Sequence, residues 1–218
     1  MKRRVLSFLS ILTFTVVAAD PVSLFDGKDL KGWTGADGKP LKSGWVVEEG
    51  GVLHRASKGG DLYSEKEYGD FEFSFEWKIA PGGNSGVKYR VMAYDKKGNL
   101  GPEYQLLDDS KHPDAKVGPQ RQTASLYDFV APDPKAKKLN PPGEWNTSKI
   151  VVRGTKFEHW LNGAKVVEMD TATDAWKAAH AKSKFKDVPE FAKNAKGRIM
   201  LQDHGDETWF RNLTIKEL

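Results

Sequence analysis

Residues 71–79 read FEFSFEWKI. Phe71, Phe73, Phe75, Trp77 and Ile79 fall on one face, and Glu72, Ser74, Glu76 and Lys78 on the other. Strict alternation over this length predicts a strand with one face in a core and one in water, as in antiparallel sheets. Segments of the same kind lie on both sides: WVVEE at 45–49, GVLHR at 51–55, DLYS at 61–64, GVKYRVM at 86–92, PEYQLLD at 102–108 and ASLYDF at 124–129. KIVVRG at 149–154, KFEHWL at 156–161, AKVVEM at 164–169, IMLQDH at 199–204 and TWFRNLTIKEL at 208–218 continue the series. Asn162-Gly163 is a hairpin turn between two of these strands. One helix is expected, DAWKAAHAKSKF at 174–185, capped by Thr173. Pro132, Pro134, Pro141 and Pro142 make 131–143 a loop. Many short strands joined by Gly and Pro turns predict an all-β sandwich of two antiparallel sheets with one short helical insertion.

The amino terminus reads differently. MKRRVLSFLSILTFTVVAAD has basic Lys2, Arg3 and Arg4, an apolar stretch from Val5 to Val16, and small residues before Asp20. That is the pattern of a cleaved export signal over residues 1–19, leaving one domain at 20–218 in the periplasm or outside the cell. The apolar run is shorter than the ~20 residues of a membrane span, so no span is expected after cleavage. The chain carries 34 Lys and Arg against 30 Asp and Glu. Without the leader the balance is 31 to 30, which gives no support to nucleic-acid binding. No cysteine is present, so disulfides and a lipid-modified cysteine are excluded. A domain of this length needs no such staples to bury a core.

Alternation also sorts the polar residues. In GVKYRVM, Val87, Tyr89 and Val91 should face the core, leaving Lys88 and Arg90 outward. In PEYQLLDD, Tyr104 and Leu106 point in while Glu103 and Gln105 point out together. Asp108 reaches that outer face only if a bulge adds a residue. In IMLQDHG, Ile199 and Leu201 are expected in the core and Gln202 and His204 outside it. Arg90, Glu103, Gln105, Gln202 and His204 would then form one hydrogen-bonding surface suited to sugar hydroxyls, with Tyr127, Trp145 and Trp160 as candidate aromatic platforms. Each residue has a plainer reading. Outward polar residues are the default on a one-sided sheet. Asp108-Asp109 can cap a turn, His204 can belong to one, and Trp145 and Trp160 can be core. Arg211 alternates with Leu213 and Ile215 and can be a paired, partly buried arginine. Glu103, Asp108, Asp203 and His204 are suitable divalent-ion ligands, without a diagnostic spacing.

Seven segments occur in a recognisable order: LFDGKDLKGW (24–33), GGNSGVKYR (82–90), PEYQLLDD (102–109), SLYD (125–128), GEWN (143–146), WLNG (160–163) and GRIMLQDHGDETWFRNLTIKEL (197–218). Together they resemble the 3-keto-disaccharide hydrolase domain family across essentially the whole mature chain. The resemblance implies an exported, concanavalin A-like jelly roll acting on glycosides whose sugar is already oxidised at C3, as 3-keto-glucoside 1,2-lyases and 3-keto-2-hydroxy-glucal hydratases do. It also implies a sugar C3 oxidoreductase as functional partner. Such chemistry needs a base at C2, a stabiliser at the C3 oxygen and an acid at the leaving oxygen. The expectation is Glu103 and His204 as base and acid in either order, with Arg90 or a divalent ion stabilising the enolate. Asn84, Gln105, Asp108, Tyr127, Trp145, Gln202 and Arg211 are expected to contact substrate. Glu103-x-Gln105-x-x-Asp108 also resembles the Glu-x-Asp-x-x-Glu strand of laminarinase-type glycosidases, but with an amide in place of the central acid. A non-catalytic carbohydrate-binding module and a conventional glycoside hydrolase are the competing readings.

Overall fold

The computed structural model describes residues 20–218; the expected leader at 1–19 lies outside the described residues. Two antiparallel sheets face each other. The larger runs β12 (Ala164–Asp170), β11 (Lys156–Leu161), β10 (Asn146–Arg153), β6 (Phe71–Ile79), β14 (Thr208–Glu217), β4 (Val52–Arg55) and β3 (Trp45–Glu48). Short β1 (Val22–Ser23) also pairs with β14. The smaller runs β2 (Trp33–Thr34), β5 (Leu62–Tyr68), β13 (Gly197–Leu201), β7 (Asn84–Tyr94) and β8 (Gly98–Leu100), with β9 (Glu103–Leu107) on the same side of β7 as β8. The decisive stretch is β6, and it alternates buried and half-buried residues throughout. Its five inward side chains pack with Tyr89, Tyr104, Phe157 and Phe210 in one core between the sheets. Burying each such aromatic contributes about 2–3 kcal/mol.

Polar atoms inside this core are matched in chains. The Trp77 indole N–H donates to Ser148 Oγ at 2.8 Å, Ser148 and the Tyr104 hydroxyl are 2.8 Å apart, and Tyr104 donates to the Trp160 carbonyl at 3.1 Å. His159 is wholly buried between the Tyr89 hydroxyl and the Ala124 carbonyl, 3.1 Å from each. A neutral ring satisfies both, with Nδ1–H donating to Ala124 and Nε2 accepting from Tyr89. Burial drives its pKa from the ordinary 6.5 to about 4, against the opposing pull of its backbone partners.

Three expectations need correction. Val91 does not face the core; it clusters with Tyr63 and Met200 on the outer face of the smaller sheet. The cause is an irregularity at Arg90, whose φ is 46°, opposite a register shift between Arg198 and Met200. ASLYDF is not a regular strand, because Ala124 and Asp128 have φ of 67° and 66°. It still lines the free edge of β9: Ala124 N–H donates to Gln105 O, Gln105 N–H to Ser125 O, and Tyr127 N–H to Glu103 O. The helix α1 (Asp174–Lys182) stops short of Phe185. Thr173 caps it as expected, accepting from the Trp176 N–H. Its Trp176 stacks on Phe129 at 4.6 Å, and Phe185 and Phe191 extend that stack, so the insertion is anchored by aromatic contacts to the loop after β9. The Asn162-Gly163 hairpin forms, with both φ positive. Among the described residues no helix is long and apolar enough to cross a membrane.

The buried His159 sets a pH dependence. Its folded pKa lies below its unfolded one, so its contribution is complete above about pH 6.5 and is lost as pH falls toward 4. Urea midpoints should fall over this window by the equivalent of about 3 kcal/mol. In His159→Phe the overall stability should be lower and this part of the slope should vanish. An undiminished slope would mean that other groups carry it.

Candidate active site

The outer face of the smaller sheet is organised by β7, which pairs with β13 on one side and β9 on the other. Lys88 stands opposite Glu103, Gly86 opposite Gln105, and Asn84 opposite Leu107. On the other side Met200 stands opposite Lys88, and the Gln202 N–H donates to the Gly86 carbonyl at 2.9 Å. His204 follows, its Nε2 3.4 Å from the Asn84 amide nitrogen. Strand parity therefore brings Asn84, Glu103, Gln105, Gln202 and His204 to one wall, from three separate segments of the chain.

The absence of a side chain at Gly86 shapes that wall. A Cβ there would overlap the Glu103 carboxylate, whose Cγ and Cδ would be 3.1 Å away. Glu103 thus lies across β7 rather than beside it, with Lys88 Nζ 3.7 Å from its other oxygen. The carboxylate sits over Gly86 and the His204 imidazole beside Asn84. These two positions are two residues apart on one strand, about 7 Å. A single pyranose ring can touch both.

Between them, three amide oxygens have no partner: Asn84 Oδ1, Gln105 Oε1 and Gln202 Oε1. Asn84 and Gln105 are only 4% and 1% exposed. A buried acceptor without a donor costs about 1–3 kcal/mol, and buried polar atoms are nearly always matched. All three are acceptors, so what satisfies them must bring several donors, as sugar hydroxyls do.

The loop after β9 and the insertion crowd this wall. Tyr127 is buried, donates its hydroxyl to Asp114 at 2.7 Å, and carries Lys184 over its ring at 4.2 Å. Burial and the Asp114 carboxylate push its phenol pKa upward. Partial desolvation lowers the Lys184 pKa, while the nearby Glu103 opposes and Lys88 reinforces that shift. Tyr127 is thus adjacent to Glu103 as expected of a site residue, but its ring is covered by a cation rather than open as a platform. At the other end, His112 from the loop meets His204 edge-on, ring centres 6.1 Å apart. His112, His204 and Asp206 each offer a ligand atom, and these atoms lie within 4.8 Å of one another. Beyond His204 opens a cleft of about 800 Å³ lined by Arg55, Lys58, Asp61, Asp203 and Glu207.

Six residues expected here are elsewhere, among them Trp160, which stands on β11 of the larger sheet with Lys149 over its ring at 4.6 Å. Arg90 is 4% exposed and donates to the Gly69 and Gly154 carbonyls and to Asp70, because the backbone turn at its own φ swings it off the wall. Asp108 follows the end of β9 with no bulge in the β7–β9 register. It accepts from Gly82, Ser110 and Lys111, and despite burial these donors hold its pKa below the usual carboxylate range. Asp203 pairs with Arg55 at 2.5 Å and accepts from the Gly59 and Gly60 N–H groups, which likewise overcome burial to lower its pKa. Trp145 and Arg211 belong to the other layer, the Arg211 guanidinium 4.0 Å from the Trp145 ring centre and its Nε 2.7 Å from Glu76. Of the candidate metal ligands only His204 belongs to the clustered set. His112 and Asp206 carry no periodic signal and were not legible as site residues; only their chemistry could have marked them.

An antiparallel sandwich with one acid, one imidazole and unpartnered amide oxygens on a single wall suits a ligand rich in hydroxyl groups. The sequence profile of the 3-keto-alpha-glucoside-1,2-lyase-like domain matches residues 20–216, and the chain belongs to that family. It is similar to a "3-keto-disaccharide hydrolase" of Bacteroides thetaiotaomicron, 37% identical over 95% of this chain and 81% of that protein. A crystal structure of a "putative glycosyl hydrolase" from Parabacteroides distasonis superposes with a TM-score of 0.81 at 34% identity, covering 91% of this chain and 94% of that one. A Bacillus licheniformis β-glucanase shares the fold alone, at TM-score 0.53 and 11% identity over 94% of this chain and 100% of that one. The chain is a carbohydrate-active enzyme on a concanavalin-like sandwich.

Gly86→Ala tests the wall. The obstruction is the movable end of Glu103, so the melting temperature should change little. Activity on the glycoside substrate should fall about 100-fold, the scale of a misplaced catalytic group. Unchanged activity would show that the position of Glu103 over Gly86 is immaterial.

Proposed function

We propose that this is an exported enzyme that cleaves 3-keto-glycosides by elimination. The three unpartnered amide oxygens between Glu103 and His204 carry the reading. A ketone at C3 acidifies the C2 proton. Glu103, 6% exposed, takes it, and the C2–H electrons move into an enolate with negative charge on the C3 oxygen. Lys88, 3.7 Å from Glu103, takes the place expected of Arg90 as the cation nearest that charge. The enolate then re-forms C3=O, a C1=C2 double bond appears, and the C1–O bond breaks with its electrons on the departing oxygen. That oxygen must receive a proton and leave toward solvent. His204 is exposed and borders the cleft, which assigns the acid end and the aglycone to its side. Water adding across the double bond would complete net hydrolysis. A separate C3 oxidoreductase would supply the ketone.

A retaining glycosidase needs two carboxyl groups about 5–5.5 Å apart. In this chain Gln105 replaces the central acid and Asp108 is held in a turn, which favours elimination. A binding module would show sugar affinity without turnover.

The test is release of the leaving group from a 3-keto-glucoside and from the unoxidised glucoside. The wild type should act on the first and not the second, and Glu103→Gln should lose 100-fold or more, the scale of general-base catalysis. Undiminished turnover by Glu103→Gln would remove it as the base. Cleavage of the unoxidised sugar at a comparable rate would return the chain to ordinary glycosidase chemistry.

A further inference from the structure

We propose that His112, His204 and Asp206 bind a divalent first-row transition-metal ion at the leaving-group end of the wall. The inference deepens the elimination reading in assigning the ion a role, but binding itself does not depend on that reading.

The geometry is the starting point. Among the described residues this is the set of three potential ligand groups within bonding reach of one ion, at 4.8 Å or less between ligand atoms. The residues come from two distant segments, the loop after β9 and the turn between β13 and β14. That convergence is not a by-product of one local run of polar residues. Asp206 is already oriented, because one carboxylate oxygen accepts from the Asn84 N–H at 2.9 Å, leaving the other oxygen for a ligand. Asn84, whose unmatched oxygen also belongs to the sugar-binding reading, supplies a second sign. Its side chain is 96% buried, its Nδ2 lies 3.4 Å from His204 Nε2, and its Oδ1 has no partner. A water bound to an ion beside His204 would donate to that oxygen.

Two imidazoles and one carboxylate suit zinc, manganese, cobalt or iron, and three protein ligands leave positions open for water or substrate, as catalytic sites do. Calcium and magnesium, which favour oxygen ligands, suit the set poorly. Two local interactions oppose ligation: the Asn84 amide nitrogen lies 3.4 Å from His204 Nε2 and as a donor would occupy that nitrogen's lone pair, and His112 Nδ1 accepts from the Asp114 N–H at 3.1 Å. At His112, binding through Nδ1 would use the engaged lone pair, and binding through Nε2 would move the ring proton to Nδ1. Either way one cap bond of a short turn is given up, a small loss beside a metal–imidazole bond. The other three of the five histidines are committed elsewhere. His159 is in the core, His54 lies between Glu48 and Glu207, and His180 faces the Val188 carbonyl.

In the elimination, an ion here would act as a Lewis acid on the departing oxygen, or deliver a proton to it from bound water. His204 would then serve the leaving group through the metal. This accounts for an exposed histidine standing where an acid is required.

The experiment uses tag-free protein stripped with a chelator, dialysed, and incubated separately with Zn²⁺, Mn²⁺ or Co²⁺. Metal content by mass spectrometry should reach one ion per chain for at least one of them. The melting temperature should rise with that ion, and bound Co²⁺ should give visible absorption of a low-symmetry site. His112→Ala and the near-isosteric Asp206→Asn should each lower affinity at least tenfold. His180→Gln should bind as wild type, and so should Glu103→Gln. The variants' circular dichroism and metal-free melting temperatures should match the wild type, which separates lost ligation from lost folding. Retention of no ion by folded wild type, or equal binding by folded His112→Ala and Asp206→Asn, overturns the proposal. If the ion binds as expected but no 3-keto-glycoside is turned over, the metal site stands and the elimination reading fails.

Discussion

The Glu103 carboxylate rests on bare backbone at Gly86, and the character of the wall follows from that contact. Any larger residue at 86 would occupy the volume the carboxylate now fills. The acid would then stand over its own edge-side strand, away from His204. With glycine there, an acid on β9 and an imidazole beyond β13 approach to about one sugar width, although two strand spacings separate their backbones. The amides of Gln105 and Gln202 are left with their oxygens unmatched. A protein that built this wall for stability alone would have closed those acceptors with donors of its own.

What holds the wall in place is the core behind it. The outward positions of β7, β9 and β13 alternate with Val87, Tyr89, Tyr104, Leu106, Ile199 and Leu201, all completely buried. A one-residue slip in any strand would exchange these for polar groups. Tyr89 and Tyr104 bind their hydroxyls to His159 and Ser148 of the opposite sheet, so the two layers are pinned in depth as well as by packing. The edge of β9 is closed by the 124–127 segment, which also brings Tyr127 beside Glu103. The insertion is fastened by its aromatic stack and by the Lys184 N–H to Asp128.

Period two made most of this legible. It gave β6 end to end, the two-layer class, and the outward set Glu103, Gln105, Gln202 and His204, while Asn84 entered only through the family resemblance. Its failures have separate physical causes. Arg90 escaped because a single left-handed residue breaks the alternation without any glycine to signal it. Asp108 was misplaced because a strand's last hydrogen bond cannot be read from its polar pattern, and its capping geometry decided the matter. Arg211 was placed outward but lies in the other sheet, since parity tells inside from outside and not one layer from its partner, and Trp145, just before β10, stands outside any strand and had no parity to place it. His112 and Asp206 sit in turns, where spacing carries no geometric information. The export signal expected at 1–19 lies outside the described residues.

The most direct measurement is a crystal structure of the Glu103→Gln protein with a 3-keto-disaccharide bound. The oxidised ring should lie between residue 103 and His204, its hydroxyls donating to Asn84, Gln105 and Gln202, and its second sugar in the cleft beside His204. A sugar seated on the outer face of the larger sheet, or on this wall with those three oxygens still unmatched, would contradict this assignment.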